Sequence, residues 1–344
     1  MNLQKPVFVT GGTGLLGSHL IYSLISRGER VKATCRKSSN REILKKIIGY
    51  YSGDAEKLLG LVEWTECDLC DYDSLVNAMK GVGRVYHCAA VVSFGKGQAD
   101  TILKNNVMGT SNIVRSCLEN NIEKLCHVSS VAALGAGDGE LSVNETIKWE
   151  SGRQYPAYWT SKHLSEEEVW KGTGKGLNAV IVDPSIILGP GDWSRSSSAI
   201  FSSIGSGMVF YTDGIKAYVD VNDVVRAMIA LMESSLSGER FIVSSENLTN
   251  RQFFTMVAKY LGSVKPFIKI PKALSPLANP VVDLIQLVTR NRSPLTRDIL
   301  KAAWTRVGYD NSKIIRSTGM SFMPINKSVE AIAAIYVSEK RRNH

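Results

Sequence analysis

A tyrosine and a lysine stand four residues apart at Tyr158 and Lys162, a spacing that places both side chains on one face of a helix. A phenol with an ordinary pKa of about 10 is a weak base at neutral pH. A nearby ammonium group favours the phenolate and lowers that pKa, so the pair can exchange a proton beside a hydride carrier. Ser129 and Ser130 precede the pair at the end of a predicted strand. These residues suit the interconversion of a carbonyl and an alcohol.

The same spacing occurs a second time, at Tyr309 and Lys313. Position distinguishes the two pairs. Tyr158 lies on the helix after the fifth predicted strand, and ligands bind at the carboxyl edge of such sheets. Tyr309 lies in the C-terminal part, far from any phosphate-binding loop, so we expect it to be structural.

A glycine-rich turn near the start of the sequence predicts a dinucleotide site. It follows an apolar strand-like run, Pro6–Thr10, and leads into apolar residues with helical spacing. Gly11 allows a tight turn, Gly14 lets the backbone approach a pyrophosphate, and Gly17 lets the helix pack on the strand. The phosphates then meet the free N–H groups and the positive end of that helix.

The end of the second predicted strand, Val31–Cys35, bears on the choice of nicotinamide cofactor. NAD sites usually place an acid there for the ribose 2′-hydroxyl, whereas NADP sites use an arginine for the 2′-phosphate. Here the strand is followed by Arg36 and Lys37, with no acid at the strand end. Arg36 can bind a phosphate with a fork of donors. We therefore predict NADP(H) as the preferred cofactor. NAD(H) is the alternative if both cations are ordinary surface residues.

Strands and helices alternate through the first half of the chain, which predicts βαβ units and a mostly parallel sheet with helices on both faces. The predicted strands are Pro6–Thr10, Val31–Cys35, Leu61–Cys67, Arg84–Ala90, Lys124–Ser129 and Ala179–Val182. The later predicted helices are Asp71–Lys80, Asp100–Asn120 and Pro156–Trp170. Beyond Ser185 the rhythm loosens into stretches rich in Gly, Pro and Ser.

The sequence thus predicts an α/β fold, a Rossmann-type doubly wound parallel sheet with a smaller, mixed C-terminal substrate-binding region. Residues 1–185 form the predicted nucleotide-binding domain, to which about 217–245 return. Residues 186–216 and 246–344 form the predicted substrate-binding region.

Composition excludes general disorder, since 44% of residues are hydrophobic and 21% are charged. The formal net charge is +9, and residues 259–344 carry 15 basic and 5 acidic side chains, so the surplus lies in the C-terminal quarter. A basic surface attracts nucleic acid, anionic lipid or an acidic substrate, or is simply a set of solvated helix faces. No basic–aromatic motif on a recognisable fold supports nucleic acid as a partner.

Membrane contact is a minor hypothesis. The apolar and basic stretch at 270–290 suits a lid that rests on an anionic membrane surface, but Pro276 and Pro280 interrupt its helical pattern. No run of 18 apolar residues and no signal-like start occur, so the expected location is the cytoplasm. Cys67 and Cys70 form a C-x-x-C without a second pair, and we expect structural thiols and no metal site.

Taken together, these motifs resemble the extended short-chain dehydrogenase/reductase family, within the NAD-dependent epimerase/dehydratase superfamily. The resemblance covers nearly the whole chain. It is carried by Thr10–Gly17, Asp68, His87–Ala90, Asn106–Thr110, Ser129–Ser130, Tyr158 with Lys162, Pro184–Gly191, Tyr218–Val224 and Tyr309–Lys313. Arg36 and the run after Pro184 look more like the dihydroflavonol reductase and 3β-hydroxysteroid dehydrogenase branch than like the sugar-nucleotide enzymes.

The resemblance implies a role for each catalytic candidate. Tyr158 would be the general acid/base, and Lys162 would bind the nicotinamide ribose and tune Tyr158. Ser130 would hydrogen-bond the substrate oxygen, with Ser129 as the alternative. Asn106 would support the lysine, unless it is an ordinary helix asparagine bonded to nearby backbone. With the residue arguments above, the predicted cofactor-binding set is Gly11, Thr13, Gly14, Leu15, Leu16, Gly17, Arg36, Lys37, Asp68, Leu69, Ala89, Ala90, Lys162, Pro184, Ser185 and Ile187.

The predicted function is NADP(H)-dependent interconversion of a carbonyl and an alcohol on a small, mainly apolar substrate, and family resemblance suggests a homodimer. A substrate pocket and plain core packing both suit the apolar residues Ile186, Ile187, Leu188, Trp193, Phe201, Met208, Phe210 and Tyr211. Two alternative functions stay open. One is a nucleotide-sugar epimerase or dehydratase with tightly bound NAD, and the other is a non-catalytic cofactor-sensing protein.

Overall fold

The computed structural model describes residues 5–92, 99–195, 197–274 and 302–342. Most of the predicted lid at 270–290 therefore lies outside the described residues. The strands are β1 (Val7–Thr10), β2 (Val31–Cys35), β3 (Val62–Glu66), β4 (Arg84–His87), β5 (Lys124–Val128), β6 (Ala179–Pro184), β7 (Ile186–Leu188), β8 (Phe210–Tyr211), β9 (Ile215–Asp220), β10 (Glu239–Val243), β11 (Glu246–Thr249) and β12 (Ile268–Lys269).

Helices connect these strands, and several begin at caps that the sequence supplies. They are α1 (Leu15–Ser26), α2 (Glu42–Tyr51), α3 (Ala55–Leu59), α4 (Tyr72–Ala78), α5 (Ala99–Leu103), α6 (Gly109–Glu119), α7 (Ala157–Thr173), α8 (Ser198–Gly205), α9 (Val221–Glu233), α10 (Asn250–Leu261), α11 (Ser312–Thr318) and α12 (Ile325–Arg342). Asp71 caps α4 by accepting a hydrogen bond from the Ser74 N–H, as expected of an aspartate at that position. Thr249 and Gln252 form a capping box at α10.

Seven strands form one parallel sheet in the order β10-β6-β5-β4-β1-β2-β3. The predicted Rossmann-type sheet is confirmed, and β10 joins it after a long excursion along the chain. The strand order reverses between β1 and β4, the point at which open α/β sheets bind ligands. A second sheet has the order β11-β9-β7 and a two-stranded sheet pairs β12 with β8.

Alternate residues of each strand supply the two faces of the main sheet. Val7 and Val9 belong to the core cluster shared with α1 and α9, whereas Phe8 joins the opposite cluster with α6 and α7. A third cluster gathers α8, α10 and α12 against the β7–β9 sheet. The sheet edge at the ends of β1 and β4 is thus held from both sides.

The predicted helix Asp100–Asn120 is interrupted. A π-helical turn, Lys104–Met108, separates α5 from α6. Such turns insert one residue into an α-helix and are frequent at functional sites. No helix within the described ranges combines the length and the apolar character that crossing a bilayer requires.

Candidate active site

The glycine turn after β1 is built by backbone contacts that larger residues would disturb. Gly11 has a left-handed φ of 71°, and a Cβ there would lie 2.8 Å from the Ala89 nitrogen. A Cβ on Gly17 would lie 2.2 Å from the Gly11 carbonyl oxygen. The Gly14 N–H donates to that same carbonyl at 2.9 Å, which closes the turn at the start of α1. The chain therefore passes very close to the end of β4.

A cavity of about 1480 Å³ opens where β1 to β4 end, bounded on its far side by α2, α12 and the turn at Gly191–Arg195. It exceeds the roughly 300–1,000 Å³ typical of small-ligand pockets, so it has room for a dinucleotide. The predicted site residues that line it are Gly11, Thr13, Gly14, Leu15, Arg36, Asp68, Leu69, Ala89, Ala90 and Asn106.

Other predicted cofactor residues lie outside this lining. Leu16 and Gly17 are buried in the first turns of α1, beneath the glycine turn. Lys37 is exposed beside Arg36. Pro184 ends β6, and Ile187 lies in β7. Ser185 stands between them with a buried hydroxyl for which the described residues supply no hydrogen-bond partner.

A hydrogen-bonded chain ties the glycine turn to the end of β4. The Thr10 hydroxyl lies 2.7 Å from His87 Nδ1 and accepts the Ala89 N–H at 3.1 Å. His87 Nε2 lies 3.1 Å from the Thr110 hydroxyl, which donates to the Asn106 carbonyl at 2.7 Å. Because the Thr110 hydroxyl donates its proton to the Asn106 carbonyl, it can only accept from His87. His87 Nε2 therefore carries the ring proton and donates to Thr110, and Nδ1 accepts from the Thr10 hydroxyl. Burial, with help from the Lys162 charge, lowers the pKa of His87 to about 3, so the ring is neutral.

Ser130 meets Tyr158 at the end of β5. Ser130 caps the short 3₁₀ helix Val131–Leu134 by accepting the Ala132 N–H at 3.2 Å. Gly135 ends that helix with a φ of 68°. Burial raises the pKa of the Tyr158 phenol, and a hydrogen bond with the Ser130 side chain partly offsets that rise. The phenol is therefore protonated at neutral pH and can donate a proton.

Lys162 lies one helical turn after Tyr158 and is 4% exposed. Its ammonium donates to the Val128 carbonyl at 2.9 Å. Burial lowers the pKa of Lys162 from 10.5 to about 8, while electrostatic attraction to the neighbouring carboxyl groups of Glu166 and Asp183 opposes that change. The lysine is thus held as a cation with little margin above neutral pH.

Asn106 links the cavity to the helix that carries Tyr158 and Lys162. It lies in the π-helical turn and pairs twice with the backbone of Val91, at 2.7 Å and 3.0 Å. Its amide also donates to the Ser161 hydroxyl at 2.9 Å. Asn106 therefore fastens α7 beside Lys162 and not merely its own helix.

Ser129, named from the sequence as the alternative to Ser130, belongs to a polar cluster whose other members, Glu166, Arg240 and Asp183, were not predicted. Ser129 donates to Glu166 at 2.5 Å, and Arg240 Nη1 lies 3.3 Å from the other oxygen of the same carboxyl. Asp183, on β6, is fully buried next to them. The signal in the sequence was weak: Glu166 follows Lys162 by four residues, and Asp183 is an acid within an apolar strand.

Part of the proposed apolar pocket is core. Leu188 and Phe201 are fully buried in the third cluster, with Trp193 and Met208 packed against it. Trp193 also donates to Glu339 at 2.7 Å. Of the two interpretations of these side chains, core packing between α8, α10 and α12 is therefore correct, and a substrate pocket is not. Phe210, in contrast, is 48% exposed.

These observations fit a dinucleotide. The glycine positions form a cradle that a Cβ would fill, Arg36 lines the cavity after β2, and Ser185 offers an unused buried hydroxyl. The cavity also reaches Asn106, which is bonded to the neighbour of Lys162.

Comparison with known proteins decides the family. The sequence model of the NAD dependent epimerase/dehydratase family matches residues 7–244. The chain belongs to this family. It is similar to sterol demethylase protein B of Methylococcus capsulatus (29% identity over 314 residues, covering 90% of this chain and 88% of that protein). It is also similar to dihydroflavonol 4-reductase of Gerbera hybrida (26% over 265 residues, covering 73% and 71%).

Among solved structures, the fold matches a dTDP-glucose 4,6-dehydratase from Streptomyces venezuelae that was solved with NAD bound. The TM-score is 0.76 at 18% identity, covering 97% of each chain. The predicted extended short-chain dehydrogenase/reductase assignment is confirmed. Family membership and the reductases among its relatives make the chain an NAD(P)-dependent oxidoreductase that acts on a small molecule.

Proposed function

We propose that the protein reduces a carbonyl, or oxidises the corresponding alcohol, on a small and mainly apolar substrate, with NADP(H) as the preferred cofactor. The observation that carries this proposal is the Tyr158 phenol hydrogen-bonded to Ser130, one helical turn from the buried Lys162 ammonium. The similarity to a dihydroflavonol 4-reductase supports the reaction class.

The residues divide the work by their chemistry. A bound nicotinamide supplies or accepts the hydride. Ser130 and Tyr158 hold the substrate oxygen between two hydroxyl donors, and the protonated phenol gives its proton to that oxygen during reduction. The Lys162 ammonium stabilises the phenolate left behind. In the oxidation direction Tyr158 takes the proton back.

Cofactor residues follow the same division. The glycine turn and the amino end of α1 would hold the pyrophosphate, and Asp68 and Leu69 would flank the adenine. Ala89 and Ala90 would line the path to the nicotinamide, near Pro184, Ser185 and Ile187. Arg36 would bind the 2′-phosphate.

The test combines cofactor choice with turnover. NADP⁺ should raise the melting temperature more than NAD⁺ at equal concentration, since a ligand at about 100 times its Kd adds about 2.7 kcal/mol of stability. NADPH should then be consumed with a panel of aromatic and aliphatic ketones. A larger shift with NAD⁺, together with oxidation signals only on UDP- or dTDP-sugars, would instead identify the sugar-nucleotide branch.

Replacing Arg36 with alanine should weaken NADP⁺ binding about 10- to 100-fold, the value of one or two hydrogen bonds to a charged group. NAD⁺ lacks the 2′-phosphate, so its Kd should hardly change. Titration calorimetry with both cofactors measures the difference. Lys37→Ala tests the second predicted cation, and because Lys37 lies outside the cavity lining its loss should weaken NADP⁺ binding much less than the loss of Arg36. Equal losses for both cofactors in Arg36→Ala would contradict the role.

A further inference from the structure

Two carboxyl groups lie side by side behind Lys162. Glu166 is one helical turn after the lysine on α7, and Asp183 is on the neighbouring strand β6. They are 1% and 0% exposed. Glu166 accepts from the Ser129 hydroxyl at 2.5 Å and contacts Arg240 at 3.3 Å. Both acids are thus removed from water in the immediate surroundings of the lysine.

Asp183 has no donor of its own. Both of its carboxyl oxygens are buried, and none of the described residues donates a hydrogen bond to them. Its polar neighbours are Glu166 and Ser129; Ser129 and Arg240 favour the charged form of Asp183, but the single hydroxyl proton of Ser129 is donated to Glu166. Ionised carboxylates only accept, so two of them can face each other at hydrogen-bond range only with a proton between them. Burial first, and then the Glu166 charge, raise the pKa of Asp183 well above its ordinary value.

Most of the titratable groups packed around Glu166 and Asp183 are neutral at pH 7. Burial lowers the pKa values of His87 on β4 and His127 on β5 and raises those of the Cys88 thiol and the Tyr309 phenol, so all four are neutral at pH 7. Of the groups described around the two acids, Lys162 and Arg240 are cations. The carboxyl pair is the negative charge that faces them.

We propose that Asp183 and Glu166 together hold one proton and one negative charge, and that this charge keeps Lys162 an ammonium at the pH where Tyr158 works. They are positioning residues that act through the lysine. The inference rests on the proposed function, in which Tyr158 and Lys162 form the proton-transfer pair.

A shared proton has a particular consequence. When one carboxyl is replaced by its amide, the remaining one ionises beside Arg240, and the net charge behind Lys162 is unchanged. When both are replaced, that charge is lost. Single substitutions should therefore leave the lysine's titration in place, whereas the double substitution should move it.

The experiment compares Asp183→Asn, Glu166→Gln and the double variant. In the pH profile of kcat/KM for ketone reduction, the alkaline limb should report the loss of the Lys162 proton. The apparent pKa of this limb should fall by about one unit in the double variant, the size expected when a close opposite charge is removed. It should stay in place in either single variant. Glu168→Gln is the matched control on the same helix, because Glu168 pairs with Ser111 and Lys171 on the outer side. A shift of about half a unit from each single variant would overturn the shared proton.

A second readout does not depend on turnover. Carbon NMR of labelled lysines, with Lys162 assigned by comparison with Lys162→Arg, follows the ammonium directly. The two single variants should keep the wild-type midpoint of the Lys162 titration, and the double variant should lower it. If the double variant does not fold, a shift of about half a unit or more in either single variant still refutes the proposal. If ketone turnover survives in Tyr158→Phe, the proposed function is rejected. The titration of Lys162 still tests the carboxyl pair in that case, because it does not depend on turnover.

Discussion

Tyr158→Phe should lower kcat for ketone reduction about 10²- to 10⁴-fold, the usual contribution of a positioned general acid or base. The substitution removes one oxygen and keeps the ring, so packing at the start of α7 is preserved. In the proposed function, the substitution removes the phenol O–H that would face the substrate oxygen together with Ser130. The binding free energy of NADP⁺ should stay within about 0.5 kcal/mol of the wild-type value, since Tyr158 is not part of the cavity lining.

The chain supplies a matched control for this loss. Tyr309 has the same four-residue spacing to a lysine, but it pairs through its backbone with Asn247 and Val143, and Lys313 contacts Glu239 and the Arg240 carbonyl. Tyr309→Phe should leave kcat within about twofold, because the buried Tyr309 phenol is neutral, so its loss removes no charge near Lys162 and affects stability instead. Steady-state kinetics with NADPH compares the two variants. Near-normal turnover in Tyr158→Phe is the outcome that excludes the tyrosine as the proton donor.

Gly17→Ala should be the most damaging change in the cofactor turn. The new methyl group would lie 2.2 Å from the Gly11 carbonyl oxygen and 2.8 Å from its carbon. Both atoms are backbone, so relief requires the turn to move away from α1. Overpacking of this kind costs about 1–3 kcal/mol of unfolding free energy. In the proposed function this turn holds the pyrophosphate, so the affinity for NADP⁺ should fall together with the stability.

Urea unfolding and calorimetric titration with NADP⁺ measure both effects. Gly53→Ala is the control, because nothing lies within 4 Å of a Cβ at Gly53 and its backbone is not left-handed. It should change the unfolding free energy by less than about 0.5 kcal/mol. A Gly17→Ala protein that binds NADP⁺ as tightly as the wild type would show that the helix can shift without disturbing the cradle.

Local patterns were enough to predict the sheet. The run at Val7–Thr10 is apolar on both faces because both faces are covered, and the glycines that follow have backbone reasons visible in sequence order. Asp71 was predicted as a helix N-cap, and α4 begins directly after it. Spacing and position indicated Tyr158 and Lys162, and the family resemblance favoured Ser130 over Ser129; these residues lie at the end of β5 and on α7.

Features that depend on distant partners were out of reach. Nothing in a local window shows that Glu166 meets Asp183, because that contact forms only when α7 lies against β6. The same is true of Phe201, which a composition argument assigns equally to a pocket or to the core, and which packing places in the core. The role of His87 depends on Thr10 and Thr110, each from a different element.

The π-helical turn at Lys104–Met108 sets a rule for altering this protein. An α-helix turns about 100° per residue, so one surplus residue puts the side chains before the turn out of phase with those after it. Asn106 is thereby directed to Val91 and Ser161, while Asn112, further along, reaches the Leu69 carbonyl at 2.9 Å. Deleting a single residue here would preserve a helix yet rotate one contact out of alignment with the other. Loop grafts and insertions in this stretch must keep the residue count, even where they are free to change the residues.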